Sequence, residues 1–152
     1  LFESVRADLA KMTGRLEYLG ERPDLGAVKK LFGNAMLIGV WATLADTLTL
    51  AKATGVDPED AIKLLGLLDL NTVVSTRGAK MAQGNFAANF ELAMARKDVR
   101  LMLETTDDLP MAVLPAIAAR MDQLIDAGHG QDDAGVMAID ALTDAAASVK
   151  NP

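Results

Sequence analysis

The chain has 152 residues, a mass of 16.1 kDa and no cysteine, which gives room for one domain and at most a fragment of a second. A net charge of −6, from 15 basic and 21 acidic residues with the basic ones scattered, excludes the clustered cations that nucleic acid or an anionic membrane surface requires. The lack of cysteine excludes a disulfide framework and a thiolate zinc or iron–sulfur centre.

Alanine (26), leucine (22) and methionine (8) far outnumber valine (10), isoleucine (5) and the aromatics (6). Small and unbranched side chains keep their freedom in a helix, whereas branched and aromatic ones suit pleated sheet. With 51% hydrophobic residues the chain can bury a core, and the expected class is all-α. The start, Leu1 to Arg6, lacks a charged end followed by an apolar run and so does not read as a signal peptide. Without an initiator methionine the sequence reads as an internal piece of a longer chain, and a cytoplasmic location is expected.

Phe2, Val5, Leu9 and Met12 recur at helical spacing, and Gly14 closes that helix. Arg15 to Leu19 alternates polar and apolar, the pattern of a short strand, and Glu21 to Gly26 forms a polar break. From Val28 to Ala53 apolar residues occupy nearly every face, with Asp46 the one charge between Leu31 and Ala51. A helix apolar all round is buried in protein or in lipid. Asn34, Gly39, Asp46 and three threonines favour a central core helix over a membrane span. Asp57-Pro58 starts the next helix, which runs to Leu68, and another spans Thr72–Met81 before the Gln83-Gly84-Asn85 break. Further helices follow over Phe90–Thr105, from Pro115 to Gly128, and over Asp132–Ala147. Six or seven helices around one long buried helix are therefore expected.

No Gly-x-Gly-x-x-Gly follows a strand and no Gly-x4-Gly-Lys-Ser/Thr occurs, so no standard loop here cradles a pyrophosphate. His129, the single histidine, lies between two glycines in a turn, and no metal site is expected. Asp107/Asp108 and Asp132/Asp133 each precede a helix and read as caps. Two lysines interrupt apolar patterns. Lys30 lies four residues before Asn34 on one helical face, either as a buried acid–base group or as a solvated residue at the helix start. Lys97 falls within the stripe Phe90, Met94, Leu101, as a snorkelling lysine at a core edge, while Asp98 points elsewhere.

Four stretches in order resemble the C-terminal half of the β-hydroxyacid dehydrogenases, the family of 3-hydroxyisobutyrate dehydrogenase and tartronate semialdehyde reductase, with a helical domain like that of 6-phosphogluconate dehydrogenase. Gly26-Ala-Val-Lys-Lys30-Leu-Phe-Gly-Asn34 is similar to the family's Gly-x-Gly-x-x-x-Lys-x-x-x-Asn. Ala45-Asp46-Thr47-Leu48 through Gly55-Val56-Asp57 resembles Glu-Ala-Leu…Gly-Val-Asp. Phe86 to Phe90, followed by Lys97-Asp98-Val99, resembles Phe-x-x-x-Phe…Lys-Asp-Leu, and Gly128 to Asp133 resembles Gly-x-Gly-x-x-Asp.

The resemblance implies that residues 1–22 are the last helix and strand of a Rossmann domain and that 23–152 form a helical substrate and oligomerisation domain. It implies an NAD- or NADP-dependent enzyme interconverting a small β-hydroxyacid and its semialdehyde or keto form, assembled as a homodimer or larger homo-oligomer. Lys30 matches the catalytic lysine and Asn34 its polar partner. Lys97 matches a cofactor-contacting lysine, and Gly26, Phe90 and Asp98 match substrate-side positions. Asp24 replaces the first glycine of the leading motif, and Asp46 replaces the usual Glu. Imine reductases of the same fold usually lack the lysine, so Lys30 argues against that activity. A non-catalytic helical dimerisation module is the competing class. On either reading this fragment alone is expected to be inactive.

Overall fold

A computed structural model describes residues 2–143. Among them the ordered elements are helical: α1 (Phe2–Ala10), α2 (Leu25–Thr54), α3 (Pro58–Leu65), α4 (Leu70–Thr72), α5 (Gly78–Ala82), α6 (Leu92–Thr106), α7 (Leu114–Leu124) and α8 (Ile139–Thr143). A π turn, Val73–Arg77, joins α4 to α5, another, Ile125–His129, follows α7, and a 3₁₀ turn, Ala134–Ala138, leads into α8. The all-α class is borne out for these residues. The chain divides into two compact units, Leu1–Val40 and Trp41–Pro152.

In the first unit α1 ends at Ala10, and the Phe2 and Tyr18 rings lie 4.8 Å apart with the Arg6 guanidinium over Phe2. The expected strand at 15–19 is not formed: these residues are irregular. A strand needs a neighbour for its N–H and C=O groups, and no described segment offers one. Glu17 instead pairs with Arg15 and Lys29, which lower its carboxyl pKa, the Lys29 hydrogen bond foremost.

The long helix is present but is not the buried axis expected of it. Of its 30 residues only Asp46 and Ala51 are buried, while Leu31, Phe32, Met36, Leu37 and Ile38 are exposed. By length and composition alone α2 could cross a membrane. Its Asp46 is nevertheless bound to protein, as described below.

The second unit has its core between α6 and α7. Leu92, Ala95 and Val99 recur at helical spacing on α6 and meet Leu114, Ala118, Met121 and Leu124 of α7, with Val136 of the 3₁₀ turn closing the cluster. The register corrects one expectation: the stripe Phe90, Met94, Lys97, Leu101 faces solvent, and the core runs beside it. The core stripe was harder to read because it includes Ala95 and Thr106, whereas the exposed one carries the larger Met94 and Leu101.

Helix starts follow local chemistry. Asp57 accepts from the Glu59 N–H at 2.9 Å and Pro58 takes the first helical position, as expected, although α3 stops at Leu65. The segment expected as one helix over 72–81 starts earlier, where Asp69 accepts from the Asn71 and Thr72 N–H groups, and is interrupted by the π turn. Asp107 and Asp108 do not cap α7: Asp107, at φ 50°, ends α6 instead. The helix expected over 132–147 is a 3₁₀ turn and then α8, its remainder lying outside the described residues.

Candidate functional site

Each sequence-derived residue belongs to one unit, and the two groups are taken separately. In the first unit Gly26, Lys30 and Asn34 lie on the opening turns of α2, all exposed. Lys30 and Asn34, four residues apart, share a face. Lys29, one position back, is engaged by Glu17, and among the described residues no carboxylate pairs with Lys30. Lys30 is thus exposed at the helix start and not buried. A side chain at Gly26 would meet nothing within 4 Å.

In the second unit Phe90 precedes α6 and is 41% exposed, while Lys97 Nζ lies 3.0 Å from Asp98 Oδ1 on the helix surface. Asp98 is therefore not turned away from Lys97 but paired with it. Arg96 points back to α7, donating through Nε and Nη2 to the two carboxylate oxygens of Asp122 at 2.7 and 2.9 Å. That fork fixes α6 against α7 and leaves the Lys97 side open.

The Phe90 segment is held from beneath by Asp133, which is 5% exposed. Its Oδ2 accepts from the Asn89 and Phe90 N–H groups at 3.0 and 3.2 Å. Its Oδ1 accepts from the Gly135 N–H at 2.9 Å and from Arg77 Nη1 at 3.0 Å. Burial pushes this carboxyl up, but the three N–H groups and the Arg77 charge outweigh it and hold the pKa below the ordinary value. A second buried carboxylate, Asp46 of α2, accepts from the N–H groups of Ala112, Val113 and Leu114 at the start of α7. Here too burial raises and the N–H donors, Ala112 first, more than reverse it. His129 Nδ1 lies 2.7 Å from Asp132 Oδ2 in the turn, and the described residues contain no metal-binding cluster.

Neither set of converging N–H groups is free for a ligand phosphate. Amides at a helix start form a ready anion site. At α7 that place is taken by Asp46, and at the Asn89–Phe90 turn by Asp133. No strand–glycine loop–helix unit, the usual cradle of a dinucleotide pyrophosphate, occurs among the described residues. Asp133 does cap the 3₁₀ turn, as expected, but sequence reasoning missed its hold on Asn89 and Phe90 and read Asp46 only as a replacement for Glu. The signal was there for Asp46: a lone acid inside 21 apolar-rich positions must find partners if buried.

Residues 25–142 match the family described as NAD-binding of NADP-dependent 3-hydroxyisobutyrate dehydrogenase, and the chain belongs to that family. Its description names an NAD-binding part; it does not describe the C-terminal half that the sequence reading expected. Among curated relatives, glyoxylate/succinic semialdehyde reductase 2 (chloroplastic) of Arabidopsis thaliana is 26% identical over 140 residues, covering 91% of this chain and 39% of the relative. The chain thus spans well under half the length of that protein. Two solved imine reductases share the fold. The Pseudomonas sp. structure has a TM-score of 0.79 at 19% identity, covering 91% of this chain and 50% of that one. The Bacillus cereus structure has 0.78 at 20%, covering 92% and 50%.

Proposed function

We propose that this chain is the helical part of an NAD(P)-dependent oxidoreductase that interconverts a small β-hydroxyacid and its semialdehyde or keto form. The observation that carries this reading is the family match over residues 25–142, a span that includes Lys30, Asn34, Phe90 and Lys97 together. Hydride exchange is the chemistry the nicotinamide supplies when bound.

The protein's own contribution is the proton. Lys30 Nζ donates to the substrate oxygen as a carbonyl becomes a hydroxyl and takes the proton back in the reverse direction. Its ammonium also stabilises negative charge developing on that oxygen. The unpaired, exposed state of Lys30 supports this, because a lysine locked to a carboxylate would have to break that pair first. Asn34, one turn on, orients the lysine or the substrate, and Gly26, Phe90 and Asp98 are the substrate-binding residues that the family resemblance implies. Lys97, with Met94 and Leu101 exposed on either side of it, offers a cation on an apolar wall for the cofactor.

The plant relative's name points to glyoxylate and succinic semialdehyde as the first substrates to assay. In the complete enzyme, Lys30→Ala is expected to lower kcat by about 10²–10⁴-fold with either aldehyde and NADPH or NADH. An unchanged kcat removes Lys30 from the mechanism. The 152-residue chain alone is expected to show no turnover.

The exposed apolar residues of α2 favour a second statement about assembly. Leu31, Phe32, Met36, Leu37 and Ile38 are exposed on all sides of α2, which supports a homodimer or larger homo-oligomer in which other chains cover them. Were the complete gene to lack a Gly-x-Gly-x-x-Gly domain, the same surface would make the chain a dimerisation module without catalysis.

A further inference from the structure

Two loops of the second unit, 84–91 and 130–135, are laced together more densely than their lack of regular structure suggests. The Asp133 N–H donates to the Phe86 carbonyl at 2.9 Å, and the Ala134 N–H to the Phe90 carbonyl at 2.9 Å. At the start of α6, the Leu92 N–H donates to the Asp132 carbonyl at 2.8 Å and the Ala93 N–H to the Gly130 carbonyl at 3.0 Å. Phe90 is thus held at both ends of its peptide unit, its N–H by the Asp133 carboxylate and its carbonyl by the next residue's N–H.

The carboxylate reaches this turn only because its surroundings make space. A Cβ on Gly135 would lie 3.2 Å from Asp133 Oδ1 and 2.8 Å from Met81 Cγ. Arg77, carried by the π turn, supplies the charge that balances a buried carboxylate. Arg77, the Asn89–Phe90 turn and Gly135 therefore converge on one buried side chain.

We propose that Asp133 is the positioning residue for Phe90: it fixes the backbone that presents the aromatic ring to the substrate, without touching substrate itself. This rests on the reading of Phe90 as a substrate-side residue. Removing the second carboxylate oxygen loosens the turn, so the ring is no longer held where the substrate needs it, and substrate binding suffers while proton transfer by Lys30 does not.

The test compares four variants of the complete enzyme with succinic semialdehyde and a saturating nicotinamide cofactor. Asp133→Asn is expected to raise KM by about tenfold or more with kcat changed less than about twofold, and Asp133→Glu to restore part of the loss. Asp46→Asn is the control, since it removes an equally buried carboxylate that binds the amides of a different helix. It is expected to lower the melting temperature as Asp133→Asn does and to leave KM unchanged. Phe90→Ala tests the underlying reading and is expected to raise KM. A raised KM for Phe90→Ala with an unchanged KM for Asp133→Asn overturns the positioning role alone. Equal KM effects of Asp133→Asn and Asp46→Asn overturn it as well, reducing Asp133 to general stability. An unchanged KM for Phe90→Ala overturns the substrate-side reading, and the positioning role falls with it.

Discussion

Asp46 Oδ2 accepts the Leu114 N–H at 2.9 Å across 68 positions of sequence, so the first turn of α7 is capped by a side chain from α2. Val113, the residue in the capping position, provides no side-chain cap of its own. The first helical N–H groups have no intrahelical partners, and burying them unpaired is costly. Asp46→Ala leaves three such groups without their acceptor and is expected to cost about 2–4 kcal/mol. Urea unfolding followed by circular dichroism measures it, and a loss under about 0.5 kcal/mol contradicts the capping role.

The same carboxylate, with Asp133, makes stability depend on acid. Both titrate below the ordinary value of 3.8 when folded, so the unfolded chain binds more protons and stability rises with pH in that range. Their contribution is complete above the unfolded value and is lost as pH falls through the lower folded one. A melting temperature flat from about pH 7 to 5 and falling below about pH 4 is expected. Asp46→Asn, which cannot ionise, should start lower at neutral pH and fall less steeply in acid.

Lys97 allows a sharper separation of roles than Lys30. Its Nζ is on the surface beside Asp98, so Lys97→Met is expected to leave the melting temperature within about 1 °C. If it contacts the cofactor, the KM for NADPH rises about tenfold while the KM for the aldehyde stays level. Equal shifts in the two constants place Lys97 elsewhere in the reaction.

How much of this was legible in the sequence depended on whether the signal was local. Asp57-Pro58 announced α3 because capping and a fixed proline φ act within two residues. The Ala, Leu and Met excess announced the helical class. The strand at 15–19 was misread because alternation describes a side-chain pattern, whereas a strand exists only with a partner. The α6 stripe was misread because size is not burial: the helix buries Ala95 against α7 and leaves Met94 and Leu101 outside. Asp46 and Asp133 were the hardest to see, since their partners are backbone N–H groups, which every residue but proline carries and no sequence pattern marks. The lysines of the candidate site were legible as interruptions of apolar runs, but the roles proposed for them rest on the family resemblance.

Gly135 gives the last prediction, because it is required by space and not by backbone conformation. It opens the 3₁₀ turn with an ordinary φ, so a methyl group is not excluded by torsion. What a Cβ meets is Met81 Cγ at 2.8 Å and Asp133 Oδ1 at 3.2 Å. Methionine is flexible and can yield, but Cγ lies close to its own backbone, so α5 must move with it. The oxygen the Cβ meets accepts from Gly135 and Arg77, so if the carboxylate yields, those bonds change first and the Oδ2 bonds to Asn89 and Phe90 shift with it. Gly135→Ala is therefore expected to destabilise by about 1–3 kcal/mol. It should also speed amide hydrogen exchange at Asn89 and Phe90 more than at Val113 and Leu114, which depend on Asp46. Met81→Ala in the same background removes the nearer clash, and recovery of stability without recovery of slow exchange at Phe90 would place the remaining strain on the carboxylate.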